Sequence, residues 1–189
     1  MFLQTLGIAA AVVAAAEIGD KTQLLAIFLA ARFRQPKQIV LGILCATIFN
    51  HALAGALGAS LAAFISPVVL KWTLIASFVA MAVWILIPDS IDEGGFDKHL
   101  GRWGVFGTTL VLFFLAEMGD KTQIGTIAMA AKFPGEALFV VMGSTLGILI
   151  ADAPAVWLGD KISKKLSMSL MRKIAAAIFL LLAVLAYFS

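Results

Sequence analysis

The chain has 189 residues, of which 62% are hydrophobic and only 13% are charged, whereas about 25% of the residues in soluble domains are charged. This composition excludes an ordinary soluble domain and predicts a single transmembrane domain over residues 1–189, with room for about six helices of about 20 apolar residues each. The net charge of +3 does not indicate a nucleic-acid partner, because membrane proteins concentrate basic residues in their cytoplasmic loops. The single cysteine, Cys45, excludes a disulfide within the chain and a cysteine-based metal site.

Six apolar stretches follow one another along the chain, at residues 2–31, 38–65, 70–87, 104–131, 137–158 and 168–188. They predict an all-α membrane protein with six transmembrane helices in two groups of three. The first stretch of each group has about 30 residues, which form about 45 Å of helix against a hydrocarbon core of about 30 Å. We therefore expect both of these helices to be long and tilted, or broken at the polar motif in their middle. Pro154 lies inside the fifth stretch, where it is expected to kink or end the helix.

The two groups of helices are copies of each other. The sequence of residues 16–33, AEIGDKTQLLAIFLAARF, returns at residues 116–133 as AEMGDKTQIGTIAMAAKF, with 11 of 18 positions identical. Weaker matches continue further along, for example at Lys71 with Arg172. We therefore interpret the chain as a duplicated half. Repeat one covers residues 1–90, a cytoplasmic linker covers residues 89–103, and repeat two covers residues 102–189.

Basic residues are distributed unequally between the two sets of predicted loops. One set carries only Lys71 and Lys132, and the other carries ten: Arg32, Arg34, Lys37, Lys98, Arg102, Lys161, Lys164, Lys165, Arg172 and Lys173. Because cytoplasmic loops carry the excess of Lys and Arg, this count predicts that both termini lie outside the cytoplasm. Each half has an odd number of helices, so the second half is predicted to be inserted upside down relative to the first. This inverted repeat is the plan of many secondary transporters.

Four carboxylates lie inside the two long apolar stretches, namely Glu17, Asp20, Glu117 and Asp120. An ionised group at the centre of a membrane helix costs about 2.5–3.5 kcal/mol on the lower published scale, so such residues are functional by default. On a continuous helix Glu17, Asp20 and Lys21 would project from one face. A pseudo-twofold axis would bring this face against its copy near the middle of the membrane. The four carboxylates are therefore predicted to form a metal-binding pocket.

Other polar residues are expected near the same pocket. We expect a group of oxygen-bearing side chains to contribute to metal binding or to the ion path: Thr22, Gln23, Asn50, Thr122, Gln123 and Asp152. Lys21 and Lys121 are expected to compensate part of the charge. His51 matches Asp152 in the repeat, and we interpret it as a packed, hydrogen-bonded residue, with a proton relay as the alternative. The acidic segment with Asp89, Asp92, Glu93 and Asp97 is interpreted as a solvated loop, with a cation-attracting vestibule as the alternative.

The chemistry of the predicted pocket indicates the class of its ligand. Its strong ligands are all hard oxygen donors, which suit Mg²⁺, Ca²⁺ or Mn²⁺ better than Zn²⁺ or Cu²⁺. Four carboxylates and two lysines leave a net charge of about −2 when all are ionised, which one divalent cation would neutralise, and protons could replace the cation when it leaves. The alternative is that Glu17–Lys21 and Glu117–Lys121 are ion pairs between residues four apart that only fix helix packing.

The paired motif resembles the signature of the Gdt1 family, also called UPF0016, which is E-x-G-D-(K/R)-(T/S) in two copies on six helices. Both copies are complete here, as Glu17-Ile18-Gly19-Asp20-Lys21-Thr22 and Glu117-Met118-Gly119-Asp120-Lys121-Thr122. The resemblance implies a transporter of Mn²⁺ or Ca²⁺ coupled to protons. Compact prokaryotic members are associated with manganese export, which implies a multi-pass protein of the bacterial inner membrane.

The sequence therefore predicts a secondary active transporter, not an enzyme, that exports a divalent cation, Mn²⁺ or alternatively Ca²⁺, in exchange for protons. Its expected partners are these ions and the lipid bilayer, with no cofactor and no nucleic acid, and nothing in the sequence indicates an oligomer. Two alternatives use the same carboxylates differently. One is a metal-dependent membrane enzyme or sensor that transports nothing, and the other is an exporter of cationic amino acids with a similar arrangement of helices.

Overall fold

The computed structural model of the chain describes residues 2–87, 103–133, 135–158 and 168–188. These ranges contain eight helices and no strand. In chain order they are α1 (Phe2–Glu17), α2 (Lys21–Phe33), α3 (Pro36–Phe64), α4 (Pro67–Trp84), α5 (Gly104–Glu117), α6 (Lys121–Lys132), α7 (Ala137–Leu158) and α8 (Met168–Phe188). The acidic segment, nearly all of the predicted linker and several of the predicted cytoplasmic basic residues lie outside the described residues: Lys98, Arg102, Lys161, Lys164 and Lys165.

The helices follow the apolar stretches closely, and the described part of the chain contains several candidate membrane spans. Helices α3, α4 and α7 are each long and apolar enough to cross a membrane. Helices α1 and α2 meet that criterion together, with a bend of 71° at the break between them. Helix α5 and the part of α8 from Lys173 to Phe188 are shorter apolar helices. The chain is thus a helical multi-pass membrane protein. Its described residues contain three candidate spans by this criterion, or four when the bent pair counts as one.

Both long stretches are broken at the motif, which is one of the two forms expected from their length. Helix α1 ends at Glu17 and α2 begins at Lys21, and in the second copy α5 ends at Glu117 and α6 begins at Lys121. The breaks occur at glycines with left-handed backbone, Gly19 with φ of 87° and Gly119 with φ of 76°. Residues other than glycine seldom adopt this backbone conformation. The duplicated glycine therefore fixes where each helix stops.

The two halves pack reciprocally. Helix α1 of the first half packs on α7 of the second, and α5 of the second half packs on α3 of the first. Helix α3 also contacts α7, and α4 contacts α8, so equivalent helices meet their own counterparts. The broken ends of both long helices are consequently held between α3 and α7, in the interior of the bundle.

Glycines on the two middle helices allow this close approach. A Cβ atom added at Gly143 of α7 would collide with the Leu6 carbonyl oxygen and would lie 2.8 Å from the Ala9 Cβ of α1. A Cβ atom at Gly42 of α3 would lie 2.7 Å from the Thr109 Cβ of α5. Gly42 and Gly143 occupy equivalent positions in the repeat. Small residues of this kind let membrane helices pack backbone against backbone.

Pro154 does not end its helix, because α7 continues to Leu158. Of the two effects expected of Pro154, a kink or an end of the helix, the structure therefore excludes the second. A proline removes one backbone hydrogen bond without forcing a chain reversal, and membrane helices tolerate that loss where neighbouring groups compensate.

Candidate cation-binding site

Each break places an aspartate at the start of the following helix. Asp20 precedes α2 with extended backbone, φ −85° and ψ 170°, and its side chain makes no capping hydrogen bond to that helix. Asp120 has nearly the same backbone, φ −78° and ψ 170°, and likewise makes no capping bond. An aspartate at this position usually caps its own helix. Here both carboxylates make their contacts elsewhere.

A glutamine stabilises each break and ties it to the other half. The Gly19 N–H donates to Gln23 Oε1 at 2.9 Å, and Gln23 Nε2 donates to the carbonyl oxygen of Ala151 on α7 at 3.1 Å. In the second copy the Gly119 N–H donates to Gln123 Oε1 at 2.7 Å. Gln123 Nε2 donates to the side-chain oxygen of Asn50 on α3 at 3.3 Å. The two glutamines are therefore parts of the scaffold that holds the breaks open.

The two glutamates lie at the ends of the preceding helices and are completely buried. The Thr22 hydroxyl donates to Glu17 Oε1, and the Thr122 hydroxyl donates to Glu117 Oε2 at 2.6 Å. Each contact joins the residue before a break to the second residue of the helix after it. The motif threonines therefore orient the glutamates and leave one oxygen of each available.

The lysines of the motif pair across the repeat. Lys21 Nζ lies 2.6 Å from Asp120 Oδ1, and Lys121 Nζ lies 2.9 Å from Asp20 Oδ1. The expectation that Glu17, Asp20 and Lys21 share one face of a continuous helix was wrong, because the helix breaks between Glu17 and Lys21. The alternative that each lysine pairs with the glutamate four residues before it is not what is observed. The ion pairs instead join the two halves of the molecule.

Within the part of the chain that the structure describes, each of the four predicted carboxylates keeps one buried oxygen without a hydrogen-bond partner. These oxygens are Glu17 Oε2, Asp20 Oδ2, Glu117 Oε1 and Asp120 Oδ2. Buried polar atoms are normally satisfied, so a repeated set of unsatisfied acceptors calls for an explanation. Within the described ranges, no group of three or more His, Cys, Asp or Glu side chains is gathered closely enough to hold a metal ion. In the structure, the cations in contact with Asp20 and Asp120 are the ammonium groups of the two motif lysines.

The structure places the other candidates around the breaks. Asn50 Nδ2 donates to the Phe114 carbonyl oxygen at 3.1 Å, so Asn50 connects α3 with the end of α5. Asp152 is fully buried, and neither of its oxygens has a hydrogen-bond partner in the described part of the chain. It interacts electrostatically with Glu17, and with Glu117 of the second copy. Asp152 is therefore a fifth acid in the neighbourhood of the motif.

His51 is a packed residue, in agreement with the interpretation preferred from the sequence. It is buried, with Nδ1 3.2 Å from the Thr145 hydroxyl oxygen.

A buried polar contact between α6 and α7 was not predicted from the sequence. There Thr126 Oγ1 lies 2.8 Å from the Thr122 carbonyl oxygen and 2.9 Å from Ser144 Oγ. The sequence did contain a signal for this contact, namely hydroxyl-bearing residues within apolar stretches, since such hydroxyls form hydrogen bonds between membrane helices.

Comparison with known proteins agrees with the motif. The sequence model of the family described as "Divalent cation/proton antiporter GDT1" matches residues 5–93 and again residues 105–189. The chain belongs to the GDT1 family. The double match covers both halves, each with one complete motif. Membership identifies the protein as a membrane transporter rather than an enzyme.

Individual relatives agree with the family assignment. The chain is 45% identical over 181 residues to a Vibrio cholerae protein named "Putative manganese exporter", covering 96% of this chain and 89% of the relative. It is 27% identical to GDT1-like protein sll0615 from Synechocystis, covering 92% of this chain and 91% of the relative. It is 28% identical to GDT1-like protein 3 from Oryza sativa subsp. indica, covering 91% of this chain and 69% of the relative. No solved structure matches the chain.

Proposed function

We propose that this GDT1 family member exports Mn²⁺ from the cytoplasm in exchange for protons, and that Glu17, Asp20, Glu117 and Asp120 bind the ion. One observation carries the proposal: each motif aspartate pairs with the lysine of the other copy and still keeps a buried, unpartnered oxygen. A carboxylate in this situation binds a cation already and has acceptor capacity for another. The same holds in both copies, as a site on a pseudo-twofold axis requires.

The lysines give the site a means of balancing charge between its ion-loaded and proton-loaded forms. A divalent cation that binds Asp20 and Asp120 has to compete with Lys121 and Lys21 for the same oxygens. When the cation leaves, the lysines can return and protons can occupy the remaining carboxylates. Because ionised groups in a membrane interior cost several kcal/mol each, each loaded form needs a compensating cation. Exchange of Mn²⁺ for protons meets this condition.

The supporting fold is a pair of inverted three-span repeats that alternate access to a central site. In this proposal α1 with α2 forms one span and α5 with α6 forms another, which together with α3, α4, α7 and α8 makes six. The reciprocal packing of α1 on α7 and of α5 on α3 supports it, since it holds both breaks between the halves. Broken helices at the interface of inverted repeats are typical ion sites in secondary transporters.

The choice of Mn²⁺ and the direction of export rest on two further arguments. The proposed ligands are oxygen donors, which suit Mn²⁺ and Ca²⁺, and the Vibrio cholerae relative carries manganese export in its name. The excess of basic residues in alternate loops supports cytoplasmic placement of those loops. Both termini would then lie outside the cytoplasm of a bacterial inner membrane, and site carboxylates loaded from the cytoplasm would release the ion outside.

The decisive experiment is a flux assay in proteoliposomes with an imposed pH gradient. We expect Mn²⁺ to move against the proton flow, and the rates for Mn²⁺, Ca²⁺ and Mg²⁺ to rank the substrates. Glu17→Gln and Asp20→Asn should abolish this flux. Glu136→Gln is the matched control, because Glu136 is a buried glutamate outside the motif that accepts a hydrogen bond from Thr5. The proposal fails if no divalent ion moves, or if Glu17→Gln transports like the unaltered protein.

Orientation is tested separately with reporter fusions. A reporter placed in the segment of residues 160–173 should be active only in the cytoplasm, since this segment carries Lys161, Lys164 and Lys165. A reporter attached after residue 189 should be active only outside. The opposite pair of results would overturn the proposed direction of export. The exchange of Mn²⁺ for protons would still be tested by the flux assay.

A further inference from the structure

A lateral groove lies away from the motif, between helices of opposite halves. It has a volume of about 470 Å³ and is lined by α4, the end of α6 and the end of α8. Most of its lining is apolar, contributed by Pro67, Val68, Leu70, Leu74, Ala131 and Ala186. Lys71 and Lys132 complete the lining. The groove thus combines an apolar wall with two positive charges, and neither lysine belongs to the proposed ion site.

The two lysines line the same groove although like charges repel. Lys71 lies in the second turn of α4, Lys132 is the last residue of α6, and both are half-buried. Two ammonium groups in one largely apolar groove create a local positive potential, which favours binding of an anion.

Aromatic side chains indicate the depth of the groove in the membrane. Lys71 Nζ lies 5.5 Å from the centre of the Tyr187 ring, and the Trp72 ring meets the same tyrosine edge to face at 6.3 Å. Trp, Tyr and Lys together are typical of the headgroup level of a bilayer. Leu74 lies about one helical turn further along α4 than Lys71, so the groove continues from the basic end toward the interior of the membrane on that side.

The position of these charges is unusual for a membrane protein. Lys71 and Lys132 are the two basic residues that the sequence assigns to the side opposite the ten-residue excess. Basic residues are depleted on that side, yet both line a single groove. In the repeat their counterparts are Arg172 and Arg32, so the duplication has kept a basic residue at all four positions.

We propose that this groove binds one anionic glycerophospholipid, with its phosphate between the Lys71 and Lys132 ammonium groups and an acyl chain past Leu70 and Leu74. The charge complementarity requires an anion, and the apolar wall requires an attached hydrocarbon chain, which free phosphate lacks. The lipid would connect α4 of the first half with α6 of the second. This inference does not depend on the ion that the protein transports.

The experiment is native mass spectrometry of the full chain, purified in detergent with phosphatidylglycerol or with phosphatidylcholine. We expect the unaltered protein to retain one phosphatidylglycerol through delipidation and to lose phosphatidylcholine. Lys71→Gln with Lys132→Gln should reduce retention about tenfold, as expected for the loss of about 1.4 kcal/mol of binding energy. Lys71→Arg with Lys132→Arg should restore it. The matched control is Arg34→Gln with Lys173→Gln, which removes two exposed charges elsewhere and should change nothing.

A second variant tests the apolar wall. Val68 is exposed on α4, so Val68→Trp can fill the groove without disturbing the core, and it should also lower phosphatidylglycerol retention. Three results would each overturn the inference. They are equal retention of both lipids by the unaltered protein, unchanged retention in the double glutamine variant, and displacement of the lipid by inorganic phosphate alone. The thermal unfolding midpoint of each variant shows whether it is folded. If the double glutamine variant is not folded, the double arginine variant and Val68→Trp still test the inference.

Discussion

The ammonium nitrogen of Lys121 lies 2.9 Å from Asp20 Oδ1 in the opposite copy of the repeat, and the two side chains are only 2% and 3% exposed. The equivalent pair, Lys21 with Asp120, has a lysine that is 33% exposed. Identical motifs therefore form the same contact in unequal surroundings. The site is enclosed at Lys121 and partly open at Lys21, which is the asymmetry expected of a transporter with access from one side.

The first prediction concerns the stability of the two ion pairs. Lys121→Gln should lower the free energy of unfolding by about 3–5 kcal/mol, because it leaves Asp20 buried without its counter-charge. Lys21→Gln should cost less, about 1–3 kcal/mol, because Asp120 is also buried but Lys21 is 33% exposed, so its interaction is partly screened by solvent. Thermal unfolding in detergent, followed by tryptophan fluorescence, measures both.

The control for this prediction is the double variant Lys121→Gln with Asp20→Asn. Removing both partners removes the unpaired charge as well, so the double variant should be more stable than Lys121→Gln alone by about 1–3 kcal/mol. Equal losses in Lys21→Gln and Lys121→Gln would contradict the asymmetry described above.

The second prediction concerns the glycine at each helix break. Gly119→Ala should destabilise the protein by about 1–2 kcal/mol, because its φ of 76° is unfavourable for any residue with a Cβ atom. No atom lies within 4 Å of the added Cβ, so the cost is that of the backbone alone. Gly119→Asn should cost less, because Asn tolerates the left-handed region.

Gly7→Ala is the matched control for the glycine prediction. Gly7 lies inside α1 with ordinary helical backbone, and nothing lies within 4 Å of its added Cβ. This variant should be neutral or slightly stabilising, since alanine is favoured over glycine within helices by about 1 kcal/mol. Thermal midpoints of the three variants provide the comparison. A Gly119→Ala variant as stable as Gly7→Ala would show that the break does not need glycine.

The sequence predicted the secondary structure well because apolar length and repetition are local properties. The predicted stretches 137–158 and 168–188 coincide with α7 and α8. The long helices were expected to be tilted or broken at the motif, and they are broken there, at Gly19 and Gly119. Asp152 was chosen because it is an acid in an apolar stretch, and it is indeed buried near the motif.

The pairing of the lysines could not be predicted from the sequence. A helical wheel assumes that Glu17 and Lys21 belong to one helix, and it assigns the lysine to the glutamate four residues away. The break removes that relationship, and the partner of Lys21 is then decided by how closely the two halves approach. This approach depends on contacts distant in sequence, such as those of Gly42 with Thr109 and of Gly143 with Leu6. Local periodicity contains no information about them.

The third prediction tests that close approach. Gly143→Val should destabilise the protein by about 1–3 kcal/mol through overpacking, because even a Cβ atom would collide with the Leu6 carbonyl oxygen. Ile150→Val is the control on the same helix, since Ile150 is exposed and the change removes only one methylene. If Gly143→Val leaves the thermal midpoint unchanged, α1 and α7 are further apart than described here.

The last prediction separates stability from transport at Asp152. This carboxylate is fully buried with both oxygens unpartnered in the described part of the chain, and it interacts with the charges of Glu17 and Glu117. Asp152→Asn removes one acid from the group of buried carboxylates, so the free energy of unfolding should rise by about 1–3 kcal/mol, which is measured as a higher thermal midpoint. If Asp152 lies on the ion path, as expected from the sequence, Mn²⁺ flux should fall about tenfold, because acids retained in membrane interiors despite their cost are functional. His51→Gln is the control at the equivalent repeat position, where loss of the contact with Thr145 should lower stability and leave flux intact. An Asp152→Asn variant that gains stability and keeps full flux would remove Asp152 from the proposed path.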